Sequence, residues 1–313
     1  LGVMGQRMLA RLAGHDRLQA TRVWDADPAA VACTLARHPQ LQVADSAAAL
    51  IAAPGLHTLY IATPPGPHMA LANAGFDAGL AVFCEKPLTT DFDAARRTID
   101  RIAAQGQRAA VNFSLASSPG LAALQQAFGA GTASGPLGAL QGVSIDLAFA
   151  AWPRPWQAAA GAWLAQRAEG GFSREVLSHF VFVLQRVLGP AQVLRAAPAY
   201  PADGLGAETA LHAQLLAGGV PVAVQARVGG ALDDFNRMEW RGSTGGLALH
   251  DWFGLQQQLG PDWQPLGDAA TLRAEGQEDQ LAQWVALLEG RPHGLPGFGE
   301  ALAVQETVER LLA

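Results

Sequence analysis

Ala81-Val82-Phe83-Cys84-Glu85-Lys86-Pro87 decides the fold of this chain. A compact apolar run is what a strand buried on both faces of a parallel sheet requires. Here it runs straight into two charges. A lysine at the carboxyl end of a central strand is costly unless it points into a cleft or meets an anion. Pro87 holds the residue before it extended. The alternative is an exposed Glu-Lys pair of ordinary kind.

Working outward, strands and helices alternate. Residues 18–24, 41–43, 56–62, 81–84 and 109–113 read as strands. Residues 28–38, 46–53, 67–75 and 91–104 read as helices, after a first helix within 1–14. Asp27 stands as an N-cap before Pro28 at the first helical position. This succession predicts a parallel sheet covered on both faces, with ligands at the carboxyl ends of its strands. Those ends are Asp25, Thr63-Pro64-Pro65, Glu85-Lys86-Pro87 and Asn112. Past residue 120 the pattern changes. A helix at 121–128 and a Gly-, Ser- and Pro-rich stretch at 131–138 precede longer strands at 140–149, 193–199, 208–216, 220–228 and 236–241. Turn signals such as Ala217-Gly218-Gly219 join neighbours, which argues for an antiparallel sheet. A long helix at about 173–188 interrupts the series, and helices at 277–288 and 298–312 close it.

The predicted architecture is an α/β dinucleotide-binding domain over 1–120, lacking its N-terminal strand, and an α+β domain with a large, mostly antiparallel sheet over 121–313. The last helix is a candidate to pack back on the first domain. With 313 residues the length suits two domains at roughly 150 residues each. Half the residues are hydrophobic and 15% are charged, which excludes a disordered or low-complexity chain. Net charge is −6 with no basic block, so nucleic acid and membrane surfaces have no electrostatic support as partners. No apolar run reaches the ~20 residues of a membrane span, and no signal peptide is expected from residues 1–5. Cys33 and Cys84 read as core residues of a cytoplasmic, reducing setting.

Gly2-Val3-Met4-Gly5 has the spacing of the last two glycines of a phosphate-binding G-x-G-x-x-G turn, where backbone approaches a pyrophosphate at a helix N-terminus. A plain loop-helix junction has the same spacing. Asp25, about 20 residues on, stands where a carboxylate would bind an adenosine ribose and repel a 2′-phosphate, which favours NAD over NADP. A solvated turn Asp is the other reading. Gly170-Gly171 is followed by Glu175 and His179, four apart and on one face of a regular helix, among Val176, Leu177, Phe180, Val181, Phe182 and Val183. A carboxylate and an imidazole on so apolar a helix need a polar partner or a pocket, and make an acid/base pair. No third ligand at a convincing spacing supports a metal there.

Taken in order, Gly2/Gly5, Thr63-Pro64-Pro65 with His68, Glu85-Lys86-Pro87, and Gly170-Gly171 with Glu175 and His179 resemble the Gfo/Idh/MocA family of NAD(P)-dependent oxidoreductases. The resemblance implies that Lys86 and His179 are catalytic, with Glu175 orienting the histidine. It implies that Gly2, Val3, Met4, Gly5, Asp25, Thr63, Pro64, Pro65, His68, Glu85, Lys86 and Asn112 lie on the cofactor side. It implies hydride transfer to or from a hydroxyl or carbonyl carbon of a sugar-, polyol- or cyclic-alcohol-like substrate. It also implies a homodimer or homotetramer formed through the C-terminal sheet. Three positions depart from the pattern: Glu175 where Asp is usual, Leu177 for a small residue, and Phe182 for a second Asp. They make the pocket more apolar and keep open a non-catalytic dinucleotide-binding sensor of the same fold.

Overall fold

A computed structural model describes residues 1–129, 135–160, 162–231 and 233–313. The first half of the predicted 131–138 stretch, residues 131–134, therefore lies outside the described residues. The chain divides into two compact units. One comprises Leu1–Asn112 and Leu281–Leu302, the other Phe113–Gln280 and Ala303–Ala313.

The first unit is a parallel α/β assembly. Helix α1 spans Val3–Leu12, β1 Arg22–Val23, α2 Pro28–Arg37, β2 Gln42–Val43 and α3 Ala47–Ile51. Then follow β3 Thr58–Ile61, α4 His68–Asp77, β4 Ala81–Glu85, α5 Phe92–Gln105 and β5 Ala109–Asn112. Asp27, Ser46 and Asp91 cap their helices by accepting the N–H of Ala29, Ala49 and Ala94. The strands pair in parallel in two pieces, β1 with β2 and β3-β4-β5. Parallel pairing of this kind is what a doubly wound α/β sheet requires. Every residue of β4 is buried, as a central strand covered on both faces must be. Phe83 packs on Trp284 with ring centroids 4.9 Å apart, and Met8, Leu18, Leu281, Val285 and Leu295 complete that core.

Two expectations change here. The strand expected over 18–24 pairs only at Arg22 and Val23. Cys84 is buried, but Cys33 is exposed. Helix α2 buries Thr34 alone, so the neighbouring Cys33 points away from the core.

The second unit is built on an eight-stranded open sheet. Its elements are α6 Pro119–Phe128, β6 Leu140–Phe149, a π-helical turn Ser173–Leu177 leading into α7 Ser178–Leu188, β7 Ala191–Ala199, β8 Ala210–Ala217 and β9 Val220–Val228. There follow β10 Phe235–Gly242, β11 Gly246–His250, β12 Gly254–Gln258 and β13 Trp263–Pro265. Helices α8 Ala269–Leu288 and α9 Phe298–Leu312 each contribute to both units. The strand order is β13-β12-β11-β10-β6-β9-β8-β7. All pairs are antiparallel except β6 with β9. Along β8 and β9 burial alternates, so Leu211, Leu215, Val222 and Val224 face a core while His212, Gln214, Gln225 and Arg227 are exposed.

Strands β11 to β13 have no counterpart in the predicted elements, because Gln256-Gln257-Gln258 and Trp263-Gln264-Pro265 lack an apolar alternation. Helix α8 starts eight residues before the predicted 277. Gly276 looks like a stop, yet a Cβ there would lie 3.2 Å from the Ser117 carbonyl oxygen, so it serves a close packing contact.

At the entry to the π-helical turn, Gly171 has φ of 102°, and a Cβ on it would fall 2.1 Å from a carboxylate oxygen of Glu208. Strain and overlap act together there. Gly171→Ala is expected to cost more than about 1 kcal/mol, read as a lower urea midpoint. An unchanged midpoint would show that the turn relaxes freely.

Candidate active site

The carboxyl ends of β3, β4 and β5 and the start of α1 carry the first unit's candidate residues. Gly2 is the extended N-cap of α1, and its carbonyl accepts the Gln6 N–H at 2.9 Å. A Cβ built on Gly2 or Gly5 meets no atom within 4 Å, so the backbone around Val3 and Met4 is open to an approaching group. The helix N-terminus offers donors and a positive dipole end to an anion. Asp25, just beyond β1, accepts the Asp27 N–H at 2.9 Å and also faces the Leu1 amine. In the turn after β3, Thr63 Oγ1 is buried with no hydrogen-bond partner among the described residues. A buried hydroxyl left this way asks for a polar ligand atom. Bare glycine backbone and an unsatisfied hydroxyl both suit a dinucleotide.

His68 is wholly buried. Its Nε2 lies 2.9 Å from the Thr63 carbonyl oxygen and its Nδ1 3.2 Å from that of Leu88. The ring thereby ties the Thr63-Pro64-Pro65 turn to the loop after β4. Burial holds its pKa below the usual imidazole value, against the pull of those carbonyls.

Glu85 is also buried, and a polar cluster surrounds it. Asn112 Nδ2 donates to Glu85 Oε1 at 2.6 Å, and the Tyr60 hydroxyl donates to the same oxygen. Burial and the neighbouring Glu85 charge push the Tyr60 phenol well above its ordinary pKa, so it stays a donor. Arg11 lies close enough for its charge to act on both, and burial lowers its own pKa. Lys86, the next residue, is half-buried, and its peptide bond to Pro87 is cis. The cluster fixes Glu85 and so fixes where the Lys86 side chain starts. Tyr60 and Arg11 were not foreseen, although Tyr60, a polar side chain within an apolar strand, was the available signal.

In the second unit Glu208 anchors the helix that carries His179. Its buried carboxylate accepts the Ser173 N–H at 2.7 Å, at the positive end of the helix. Arg174 forks onto Glu309 at 2.6 and 2.7 Å, and its Nη1 reaches the carbonyls of Arg167 and Gly170. Gly170 admits no Cβ, which would sit 2.4 Å from the carbonyl oxygens of Trp163 and Leu164. The regular helix expected over 173–188 is π-helical at Ser173–Leu177. A π-turn takes more residues than an α-turn, so Glu175 and His179 do not stack as an α-helical pair would. Insertions of this type gather at functional sites.

His179 is buried between two aromatic rings set at right angles to it. The Phe113 centroid lies 5.6 Å away and the Trp252 centroid 5.2 Å away. Phe113 in turn stacks on Phe182 at 4.7 Å. Leu177 is fully buried. Two of the departures noted in the sequence are thus buried, and Phe182 packs on a ring that meets His179. Trp252 was not foreseen, because its approach to His179 depends on how β10, β11 and β12 pair.

Among the described residues no group of three or more His, Cys, Asp and Glu side chains could hold a metal ion. No helix there is long and apolar enough to cross a membrane.

Parallel strands with turns at their carboxyl ends and a glycine-opened helix are the features of a Rossmann-type domain. Residues 1–113 match the profile of the Gfo/Idh/MocA oxidoreductase family, NAD-binding Rossmann fold. A search of curated protein sequences returned no match. The whole chain is similar in fold to an oxidoreductase from Agrobacterium radiobacter in complex with NAD+, L-tartaric acid and magnesium. That likeness has a TM-score of 0.82 at 15% identity, over 98% of this chain and 92% of that one. It is similar to the WlbA dehydrogenase from Bordetella pertussis in complex with NADH and UDP-GlcNAcA, with a TM-score of 0.81 at 18% identity over 99% and 93% of the two chains. It is also similar to KijD10, a 3-ketoreductase from Actinomadura kijaniata in complex with NADP and TDP-benzene. Here the TM-score is 0.77 at 18% identity, over 97% and 91%.

Glu208 titrates in a way that can be read from stability. Burial pushes its pKa above the ordinary 4.5, against hydrogen bonding from Ser173 and the charge of Arg174. The folded chain thus keeps this proton at pH values where the unfolded chain has released it. Its contribution to stability is complete below the ordinary glutamate value and is lost as pH rises through the raised folded value. Glu208→Gln keeps an acceptor for Ser173 and removes the titration. Urea midpoints are expected to show the wild type losing ground to this variant as pH rises from about 4.5 towards neutrality. Parallel curves would refute the raised pKa.

Proposed function

We propose that this chain is a dehydrogenase or reductase that transfers a hydride between nicotinamide and a hydroxyl or carbonyl carbon of a small molecule. The substrate class is a sugar-, polyol- or cyclic-alcohol-like compound. The observation that carries this reading is His179, a buried imidazole held between aromatic rings at the start of a helix entered through a π-turn. The matched cofactor domain and similar structures with bound NAD+, NADH or NADP add their support.

When bound, the nicotinamide supplies the hydride chemistry. His179 takes the acid/base role, exchanging a proton with the substrate, and Lys86 takes the role of stabilising developing negative charge. Glu175 orients the histidine. On the cofactor side, Gly2, Val3, Met4 and Gly5 receive the pyrophosphate on backbone N–H groups. Asp25 accepts from the adenosine ribose, and its charge favours NAD over NADP. Thr63, Pro64, Pro65, Glu85 and Asn112 shape the surface that meets the rest of the dinucleotide, and His68 braces it. The apolar surround of His179 favours a substrate with few polar groups beside the reacting carbon. Assembly into a homodimer or homotetramer uses the exposed face of the eight-stranded sheet, and two thiols without a disulfide suit the cytoplasm.

The test is nicotinamide absorbance with sugars, polyols, α-hydroxy acids and cyclic ketones, with both cofactors. Lys86→Met and His179→Ala are expected to lower turnover by about 100-fold or more while the dissociation constant for NAD(H) changes little. Equal loss of both would count against these roles, and no turnover anywhere on the panel would favour a sensor. Asp25→Ser is expected to move the NAD/NADP preference towards NADP by roughly tenfold, or ~1.4 kcal/mol. An unchanged preference removes Asp25 from the ribose site.

A further inference from the structure

The tip between β11 and β12 adopts a backbone that its residues do not favour. Asp251 has φ of 47° and Trp252 φ of 72°. Among the described residues these are the only non-glycine positions at positive φ. Such a conformation persists only where the surroundings over-determine it, and it clusters at working sites. Asn236 on β10 does the holding. Its backbone carbonyl accepts the Asp251 N–H at 3.1 Å, and its side-chain Oδ1 accepts the Trp252 N–H at 2.8 Å. Gly254 makes room, since a Cβ there would lie 2.5 Å from the His250 ring.

The tip delivers one side chain. The half-buried Trp252 indole stands 5.2 Å from the His179 imidazole at 83°, and 6.0 Å from Phe180. Phe113 meets the same imidazole at 80°. A histidine ring turns broadly about its outer torsion, and each orientation presents a different nitrogen. Two rings at right angles to it narrow that choice.

We propose that Trp252, held by Asn236, is a positioning residue that fixes the ring orientation of His179 so that one nitrogen is presented to the substrate oxygen. The strained tip is the device that puts it there. This rests on the acid/base role given to His179, but the contact can be tested without it.

The experiment follows the His179 ring protons by NMR in isotope-labelled protein, alongside kinetics with the substrate found by the absorbance screen. The His179→Ala spectrum assigns the signals. In wild type those protons carry ring-current shifts. Trp252→Leu and Asn236→Ala are expected to remove or average the shifts and to lower kcat by up to about 100-fold, with NAD(H) affinity unchanged. Trp252→Phe, which keeps a flat ring, restores most of both. Far-UV circular dichroism identifies any variant that fails to fold, and Asn236→Ala then carries the test with the indole intact. The proposal is overturned if the shifts persist in Trp252→Leu and Asn236→Ala, if kcat survives their loss, or if Trp252→Phe rescues neither. Retained turnover in His179→Ala is a different failure, that of the acid/base assignment.

Discussion

The hydrogen bond from the Ser173 N–H to the buried Glu208 carboxylate sets where the helix bearing His179 begins. A carboxylate removed from water needs a compensating donor, and the helix terminus supplies N–H groups with no partner inside the helix. Other features at this entry follow from the same requirement. Gly171 cannot carry a side chain without striking the carboxylate, Gly170 is pressed against two carbonyls, and Arg174 is locked onto Glu309. Widening the first turn to a π-turn then sets the direction in which His179 leaves the helix. Two aromatic rings, Phe113 and Trp252, meet the imidazole there.

The first unit applies similar logic at a strand end. Glu85 is buried at the last position of β4 and engaged by Tyr60 and Asn112. Removing either donor would leave a buried acceptor short of partners, an expensive state. The charge that stays half-buried belongs to Lys86. A satisfied carboxylate beneath and a proline after it hold the lysine backbone with little freedom.

Much of this was legible in the residues. The 81–87 stretch announced a central strand ending in charge, and Asp27 before Pro28 announced the cap that the structure displays. Helix α9 and strands β6 and β9 lie where their patterns place them, because each is long and carries a clear period. Shorter elements were harder to see. Strands β11 to β13 are brief, with glutamines along β12, and the first strand was overextended because only two of its residues find a partner. The roles of Trp252, Asn236 and Glu208 depend on contacts such as Asn236 with Trp252, 16 positions apart, and Ser173 with Glu208, 35 apart, and nothing in a local window marks them. Gly276 lies inside α8, ahead of the start at 277 that the sequence suggests. A residue that ends helices in isolation is here the residue that lets one helix approach a neighbouring loop.

Cys84 lies in the wholly buried β4, and burial raises its thiol pKa well above the ordinary value, with Glu85 adding to the effect. Thiolate is the reactive form, so alkylating reagents meet a protonated sulfur behind packed hydrocarbon. Cys33, the other cysteine of the chain, is exposed. The two therefore react on separate clocks. Fast labelling reports the outer face of α2, while the slow phase counts the moments at which the centre of the parallel sheet opens to solvent.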